Sequence, residues 1–199
     1  MPLYKFRRDD IVRTTELDSF LNNLTMVDWL GLDGIGWKAL GALHWVFGKR
    51  VSEIVCLKGD EIYIDDGDLC VRFFVLKKRQ KNTSPIATRN IKRISVQHKY
   101  VDPIVRHWSR YQGKHGFIFP SNNTKTGHIH RQRVWDVFKK VNPKISSHIF
   151  RHSLATLMAE NGASILELKD WFDWEKIEQA TNYVQRAGRI SDKLSRREY

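Results

Sequence analysis

Cysteines and long apolar runs are scarce in this sequence of 199 residues. Cys56 and Cys70 form no CxxC pair, so the sequence predicts neither a disulfide framework nor a zinc finger. The longest apolar stretch, residues 39–48, is interrupted by His44 and is too short to span a bilayer. Residues 1–12 lack the apolar segment of a secretion signal. We therefore expect no membrane association and a reducing, intracellular compartment, either the cytoplasm or the nucleoid.

Common catalytic signatures are also missing. The sequence contains no GxxxxGK(S/T) phosphate-binding loop, no HExxH metal site and no GxSxG nucleophile turn. His128 and His130 lie close together but have no neighbouring acid or cysteine, so we assign no metal ligand. We expect a protein that uses neither a metal nor a nucleotide cofactor.

Acidic side chains are almost lacking in the middle third of the chain. Between residues 69 and 135, Asp102 stands alone against fifteen Lys and Arg, a net charge of +14. Residues 1–68 carry −4 and residues 136–199 carry +2, so the middle third accounts for the whole excess of +12. A basic face that only meets water usually mixes both signs of charge. The pattern therefore predicts a polyanionic partner, nucleic acid above all, with a solvated basic face as the alternative.

Hydrophobic periodicity predicts an α+β fold that is mainly helical. Hydrophobic residues make up 41% of the chain, with seven Trp, which is enough for a folded core. Apolar residues alternate around the turn at residues 65–68 and again near residue 91, which predicts a small three-stranded antiparallel sheet. Its strands are predicted at residues 62–64, 69–76 and 91–96. Helical spacing predicts helices near residues 15–24, 37–47, 51–57, 101–111, 131–141, 147–160, 164–172 and 175–186.

Four short segments carry residues suited to phosphate chemistry. The first is Gly48-Lys-Arg50-Val-Ser-Glu53, at the start of a predicted helix. The second is the strongly basic loop that follows residue 76. In the third, Ser147-His-Ile-Phe-Arg151-His-Ser, the first His and the Arg are three residues apart on one helix and can face one phosphate. The fourth segment runs from Trp174 to Tyr183.

In this order the segments resemble the tyrosine recombinase, or phage-type integrase, family. Its catalytic domain reads an Arg, a Lys in a β-hairpin, H-x-x-R-H-(S/T), a His or Trp, and a terminal Tyr. The resemblance covers about residues 37–186 and implies a tyrosine-recombinase-like catalytic domain. It implies the catalytic residues Arg50, Lys78, His148, Arg151, Trp174 and Tyr183.

The resemblance also implies a role for each residue. Arg50 and Arg151 would hold the non-bridging phosphate oxygens, and His148 would act as general base or as a further phosphate donor. Trp174 would offer an N–H without transferring a proton. Tyr183 would attack phosphorus and form a 3′-phosphotyrosine.

The proton for the leaving 5′-oxygen would come from a Lys in the hairpin. Lys77, Lys78 and Lys81 all lie there; alignment on the family's strand and turn favours Lys78, and the other two stay open. The predicted DNA contacts are Lys77, Arg79, Lys81, Arg89, Lys92, Arg93, Arg131 and Arg133.

Neighbouring residues are predicted to support this site. Glu53, His152 and Ser153 would hold the helices by hydrogen bonds and have no chemical role. Asp173 stands where the family commonly has Gly, and we expect it to point away from the phosphate. Taken alone, Arg50 has a simpler explanation, since it can pair with Glu53 on a helix surface.

The predicted domains are an N-terminal helical remnant or linker at residues 1–30, the catalytic domain at 31–186 and a basic tail at 187–199. The chain is either part of a longer enzyme or a minimal one. We expect site-specific cleavage and rejoining of double-stranded DNA, self-association as a tetramer on DNA, and a gene of viral or mobile-element origin. The alternatives are a non-catalytic DNA-binding protein with the helix from residue 131 in a groove, a type IB topoisomerase, and a metal-dependent nuclease.

Overall fold

The computed structural model describes residues 11–29, 31–76 and 87–188, without the side chains of residues 75–76 and 87–89. In this part of the chain it has eight α-helices and one sheet, and the predicted fold class is confirmed. The elements are α1 (Thr14–Leu24), α2 (Gly34–Phe47), α3 (Val51–Val55), a 3-10 turn (Gly59–Glu61), β1 (Ile62–Asp65), β2 (Asp68–Leu76), β3 (Ala87–Ser95), α4 (Asp102–Trp108), α5 (Arg131–Val141), α6 (Ser147–Glu160), α7 (Ile165–Trp171) and α8 (Ile177–Arg186).

The antiparallel sheet has the order β1-β2-β3. Asp66 and Gly67 adopt positive φ angles of 48° and 76° in the turn between β1 and β2, as a tight hairpin requires. The strand β3 begins at Ala87, four residues before the predicted start. The residues that follow Ala87, Thr88-Arg-Asn90, are polar, so the sequence shows no apolar alternation there although these residues pair with β2.

The larger of two hydrophobic cores surrounds α2, and we call it the larger core. Trp37, Leu40, Leu43 and Phe47 of α2 have no exposed surface. This helix is apolar on all sides because α1, α4 and α6 pack around it.

The helix α1 belongs to the larger core. Leu17, Phe20, Leu21 and Leu24 are buried there. Just before α1, the backbone N–H of Val12 donates to the Ser153 hydroxyl at 2.8 Å. Part of the predicted N-terminal linker is thus packed with the domain that it precedes, while the boundary at residue 30 stays a prediction.

A second, smaller core joins the C-terminal half of α6 to α7 and α8. Among the described residues it consists of Ala155, Ala159, Leu168, Phe172, Trp174, Ala180 and Val184. Because Phe150 of α6 lies in the larger core and Ala155 in the smaller one, α6 passes from one core to the other between them. Arg151 and His152 lie at this crossing point.

Within the described ranges no helix combines the length and the apolar character needed to cross a membrane.

Candidate active site

Arg50 is held by Glu53 at the start of α3. Gly48 ends α2 in the left-handed conformation, with φ 57°, and turns the chain toward α3. The buried carboxylate of Glu53 accepts the backbone N–H of Arg50 at 2.8 Å and its guanidinium at 2.9 Å. The Arg50 side chain nevertheless remains 53% exposed. The pairing that could explain Arg50 alone is present, and it leaves the guanidinium open to a ligand.

Arg151 links the two cores. Its guanidinium donates to the carbonyl of Gly48 at 2.6 Å and to the carbonyl of Phe172 at 2.6 Å. These bonds use two of its five N–H groups. Burial lowers the pKa of Arg151 to about 10, and the nearby Arg50 adds to this effect. The group is therefore still a cation at neutral pH, fixed in place by two carbonyls.

An open pocket of about 470 Å³ brings together three of the predicted catalytic residues and one predicted DNA contact. Its lining includes Arg50, Arg131, Gln132, Trp135, His148 and Arg151. The three guanidinium groups make the pocket suitable for an anion such as phosphate, which arginine binds with two parallel hydrogen bonds.

Trp174 and Tyr183 belong to an adjoining group of rings, which we call the aromatic stack. Phe172 lies 4.8 Å from Trp174 between ring centroids, with an interplanar angle of 21°, and Trp174 lies 5.3 Å from Tyr183 at 9°. The Arg151 guanidinium lies over Phe172 at 5.0 Å and over Trp174 at 5.6 Å. Trp174 is buried, so its contact with Tyr183 is through stacking.

The Tyr183 hydroxyl contacts His152. His152 Nδ1 lies 3.3 Å from the hydroxyl oxygen, and the two rings are 5.5 Å apart. Burial raises the pKa of Tyr183, although Arg151 and Arg186 act in the opposite direction. The phenol is therefore protonated at neutral pH. From the sequence, His152 is predicted only to support the helices. Its position four residues after His148, on the same side of α6, is the sequence signal that it lies near the site.

Asp173 lies in the loop between α7 and α8, in the left-handed conformation with φ 50°. Asp tolerates this conformation better than most residues other than Gly. Its carboxylate pairs with the fully buried ammonium of Lys49, accepts a 2.7 Å hydrogen bond from Asn90, and lies 3.4 Å from the Lys92 ammonium. Burial alone would raise the pKa of Asp173, but Lys49, Asn90 and Lys92 together hold it below its usual value. The carboxylate is thus neutralised within the protein, as expected for a residue directed away from the phosphate.

Lys92 differs from its predicted role as a DNA contact. Its side chain is only 7% exposed, and its ammonium donates to the Asp170 carbonyl at 2.6 Å. Because β3 packs against the loop after α7, Lys92 serves to pair with Asp170 and Asp173 rather than to meet a phosphate at the surface.

The other predicted DNA contacts fall into two groups. Arg93, Arg131 and Arg133 are exposed, with Arg93 2.9 Å from Asp65 and Arg133 beside the Trp29 ring. The second group, Lys77, Arg79, Lys81 and Arg89, lies outside the described residues or side chains, and so does the predicted catalytic residue Lys78. Across the described chain, no group of three or more His, Cys, Asp or Glu side chains is arranged to hold a metal ion.

Comparison with known proteins agrees with this architecture. Tyrosine recombinase XerD of Chlorobaculum tepidum is 30% identical over 134 residues, covering 64% of this chain and 41% of the relative. A probable integrase/recombinase of Acholeplasma phage L2 is 24% identical over 193 residues, covering 92% of this chain and 58% of the relative. The chain thus spans about half the length of these relatives.

Solved structures share the fold. The crystal structure of XerA recombinase superposes on this chain with a TM-score of 0.66 and 16% sequence identity. The match covers all of this chain and 67% of the XerA chain. The Tn1549 transposon integrase in complex with transposon right end DNA has a TM-score of 0.59 and 13% identity, over 96% and 68% of the two chains. Residues 13–189 match the phage integrase family. The resemblance seen in the sequence motifs is confirmed, and the chain belongs to the phage integrase family.

Proposed function

We propose that this protein cuts and rejoins double-stranded DNA at specific sites through a covalent bond between Tyr183 and a 3′-phosphate. The observation that carries the proposal is the position of Arg151, which lines the cationic pocket with Arg50 and His148 and also lies against the aromatic stack that holds Tyr183. A phosphate in the pocket would therefore lie close to a phenol.

The pocket supplies the electrostatic part of the reaction. A phosphodiester gains and spreads negative charge over its oxygens as it reacts, and fixed cations stabilise that change. Arg50 and Arg151 would hold the non-bridging oxygens, with His148 as an additional partner at the pocket wall. Arg151 is held by two carbonyls before any ligand arrives, so little reorganisation is needed on binding.

The covalent step exchanges one phosphate ester for another. A bond forms between the Tyr183 oxygen and phosphorus, the bond from phosphorus to the 5′-oxygen breaks, and the 5′-oxygen takes a proton from Lys78. Rejoining reverses each change, so neither ATP nor a metal ion is required. Trp174 would keep the Tyr183 ring in the stacked orientation from which it attacks.

The remaining cations would hold the duplex. Arg93, Arg131 and Arg133 are exposed in the structure, and we assign Lys77, Arg79, Lys81 and Arg89 to the same surface from the sequence. Assembly as a tetramer, a catalytic domain at residues 31–186 and an origin in a mobile element belong to this proposal. The phage source of one relative and the transposon integrase among the solved structures support that origin.

A trapped adduct tests the proposal directly. The protein is incubated with a pool of short, nicked duplexes of randomised sequence, in which the strand released by cleavage diffuses away and prevents rejoining. We expect an SDS-stable protein–DNA adduct in the presence of EDTA, absent from Tyr183→Phe and retained by the control Tyr199→Phe. No adduct from the wild-type protein, or an adduct from Tyr183→Phe, would overturn the proposal.

The exposed arginines of α5 favour a second candidate, a DNA-binding protein without catalysis. Arg131 and Arg133 lie in the first turn of this helix. Helices that insert into the major groove of DNA contact base edges through residues of their N-terminal turn. This candidate predicts that the same pool is retained on a filter with the protein while no adduct survives SDS.

A further inference from the structure

Two histidines of α6 lie beside different parts of the proposed site, the pocket for the phosphate and the hydroxyl of Tyr183. His148 is exposed and lines the pocket with Arg50 and Arg151. His152 is 5% exposed, and its Nδ1 lies 3.3 Å from the Tyr183 hydroxyl. They are one helical turn apart on the same side of α6, and along this side the first lies at the phosphate site and the second lies at the nucleophile.

The proposed nucleophile needs a proton acceptor. A phenol reacts with phosphorus as its oxygen loses the proton, and burial keeps Tyr183 protonated at neutral pH. A general base must lie within hydrogen-bond reach of the proton that it removes. Of the two histidines, His152 meets that condition in the structure through Nδ1.

We propose that His152 is a catalytic residue, the general base that accepts the proton of Tyr183; this inference rests on the proposed function above. In cleavage, the proton moves from the Tyr183 oxygen to Nδ1 as the oxygen bonds to phosphorus. In rejoining, the imidazolium returns that proton to the departing Tyr183 oxygen. The step requires the neutral tautomer with its proton on Nε2, which leaves the Nδ1 lone pair free to accept.

Two cations near the Tyr183 oxygen help it to lose its proton. His152 follows Arg151 on α6 and lies between the cores, where Arg151 and Arg186 are the cations that act on its phenol partner. These cations favour the phenolate that forms during attack.

This assignment changes the role of His148. Its side chain opens into the cationic pocket, where it can donate a hydrogen bond to a phosphate oxygen. Loss of such a donor slows the reaction by a factor that does not depend on how easily the phenol loses its proton. Loss of the base slows it most where hydroxide is scarce.

The test compares His152→Asn with the matched variant His148→Asn. The Asn amide oxygen takes the place of Nδ1 and can accept the Tyr183 hydrogen bond without being a base. Single-turnover rates of adduct formation are measured between pH 6 and 9 on a nicked duplex selected from the random pool by the wild-type protein. A second substrate carries sulfur in place of the leaving 5′-oxygen, which removes the need for the Lys78 proton.

We expect His152→Asn to react at least about 100-fold more slowly than wild type at neutral pH. The deficit should shrink about tenfold for each unit of rising pH, and the 5′-thio substrate should leave it unchanged. His148→Asn should show a deficit that is constant with pH. Rates are normalised to the folded fraction from circular dichroism, and added imidazole should accelerate His152→Gly.

Two results would overturn the inference while leaving the proposed function standing. One is a Tyr183-dependent adduct that forms in His152→Asn within about threefold of the wild-type rate. The other is a deficit that is the same at every pH, with no effect of imidazole on His152→Gly. Failure of the wild-type protein to form any adduct would overturn both proposals.

Discussion

The larger core and the smaller core contribute different parts of the candidate site. The larger core surrounds α2 and fixes Arg50, which follows that helix directly. The smaller core carries Trp174 and Tyr183, and α8 is anchored to it by only Ala180 and Val184 among the buried residues described. Elements with little buried apolar surface open at lower free energy than those in a large core. We therefore expect the cationic pocket to be the more rigid part of the site. The proposed nucleophile, Tyr183, lies on α8, which we expect to be displaced more easily.

A few contacts join the cores at the site. Arg151 binds a carbonyl from each side, and Lys49 pairs with Asp173. Trp171 stacks on Phe47 with ring centroids 6.2 Å apart. These contacts determine where the aromatic stack lies relative to the pocket, and they provide ways to separate the two cores experimentally.

Replacing Arg151 should have the largest effect. Lysine cannot donate to the Gly48 and Phe172 carbonyls with the same fork, so Arg151→Lys should lower the rate of adduct formation about 1000-fold. It should also increase amide hydrogen exchange in α8 more than in α2. The control Arg133→Ala should weaken DNA binding yet leave cleavage at low salt within about threefold. Unchanged exchange in α8 would show that Arg151 does not link the cores.

Asp173→Asn should rank second. The variant keeps the shape and tolerates positive φ, but it leaves the buried ammonium of Lys49 without a counter-charge. We expect a loss of about 3 kcal/mol in the free energy of unfolding, measured with urea. The double variant Lys49→Met with Asp173→Asn should recover part of that loss. If the effects of the two changes simply add, the pair makes no net contribution.

His44 makes the larger core sensitive to acid. Burial lowers the pKa of His44 to about 3 from an unfolded value of 6.5. Between these two pH values His44 is protonated in the unfolded chain and neutral in the folded chain. Its contribution is complete above pH 6.5 and is lost as the pH falls toward 3. From pH 8.5 to pH 4.5 the loss should be between about 2 and 3 kcal/mol. His44→Leu should remove this part of the pH dependence in urea unfolding, and an unchanged slope would contradict it.

Gly48→Ala should have the smallest of these effects. A methyl group at Gly48 would overlap the Phe172 ring, and the residue has positive φ. Gly67 also has positive φ, but nothing lies within 4 Å of the added carbon, so Gly67→Ala isolates the backbone strain. We expect about 1 kcal/mol of destabilisation at Gly67 and about 2 kcal/mol at Gly48. Equal values would mean that Phe172 moves aside at no cost.

The sequence predicted the helices and the sheet well because their periodicities are strong, as in α2 and β2. Helical spacing predicted that His148 and Arg151 lie together, and the family resemblance added Arg50 to them. The roles of Lys92 and His152 depend on packing between distant segments, and local spacing carries little information on that. Lys92 meets Asp170 in the last turn of α7 and Asp173 in the following loop only because β3 packs beside them.

The left-handed residue at position 173 constrains how this sequence can change over generations. Glycine would also adopt this backbone conformation. It would, however, remove the carboxylate that pairs with the buried ammonium groups of Lys49 and Lys92. The three residues are therefore expected to be inherited as a unit, so that an exchange at one of them is tolerated only together with the others.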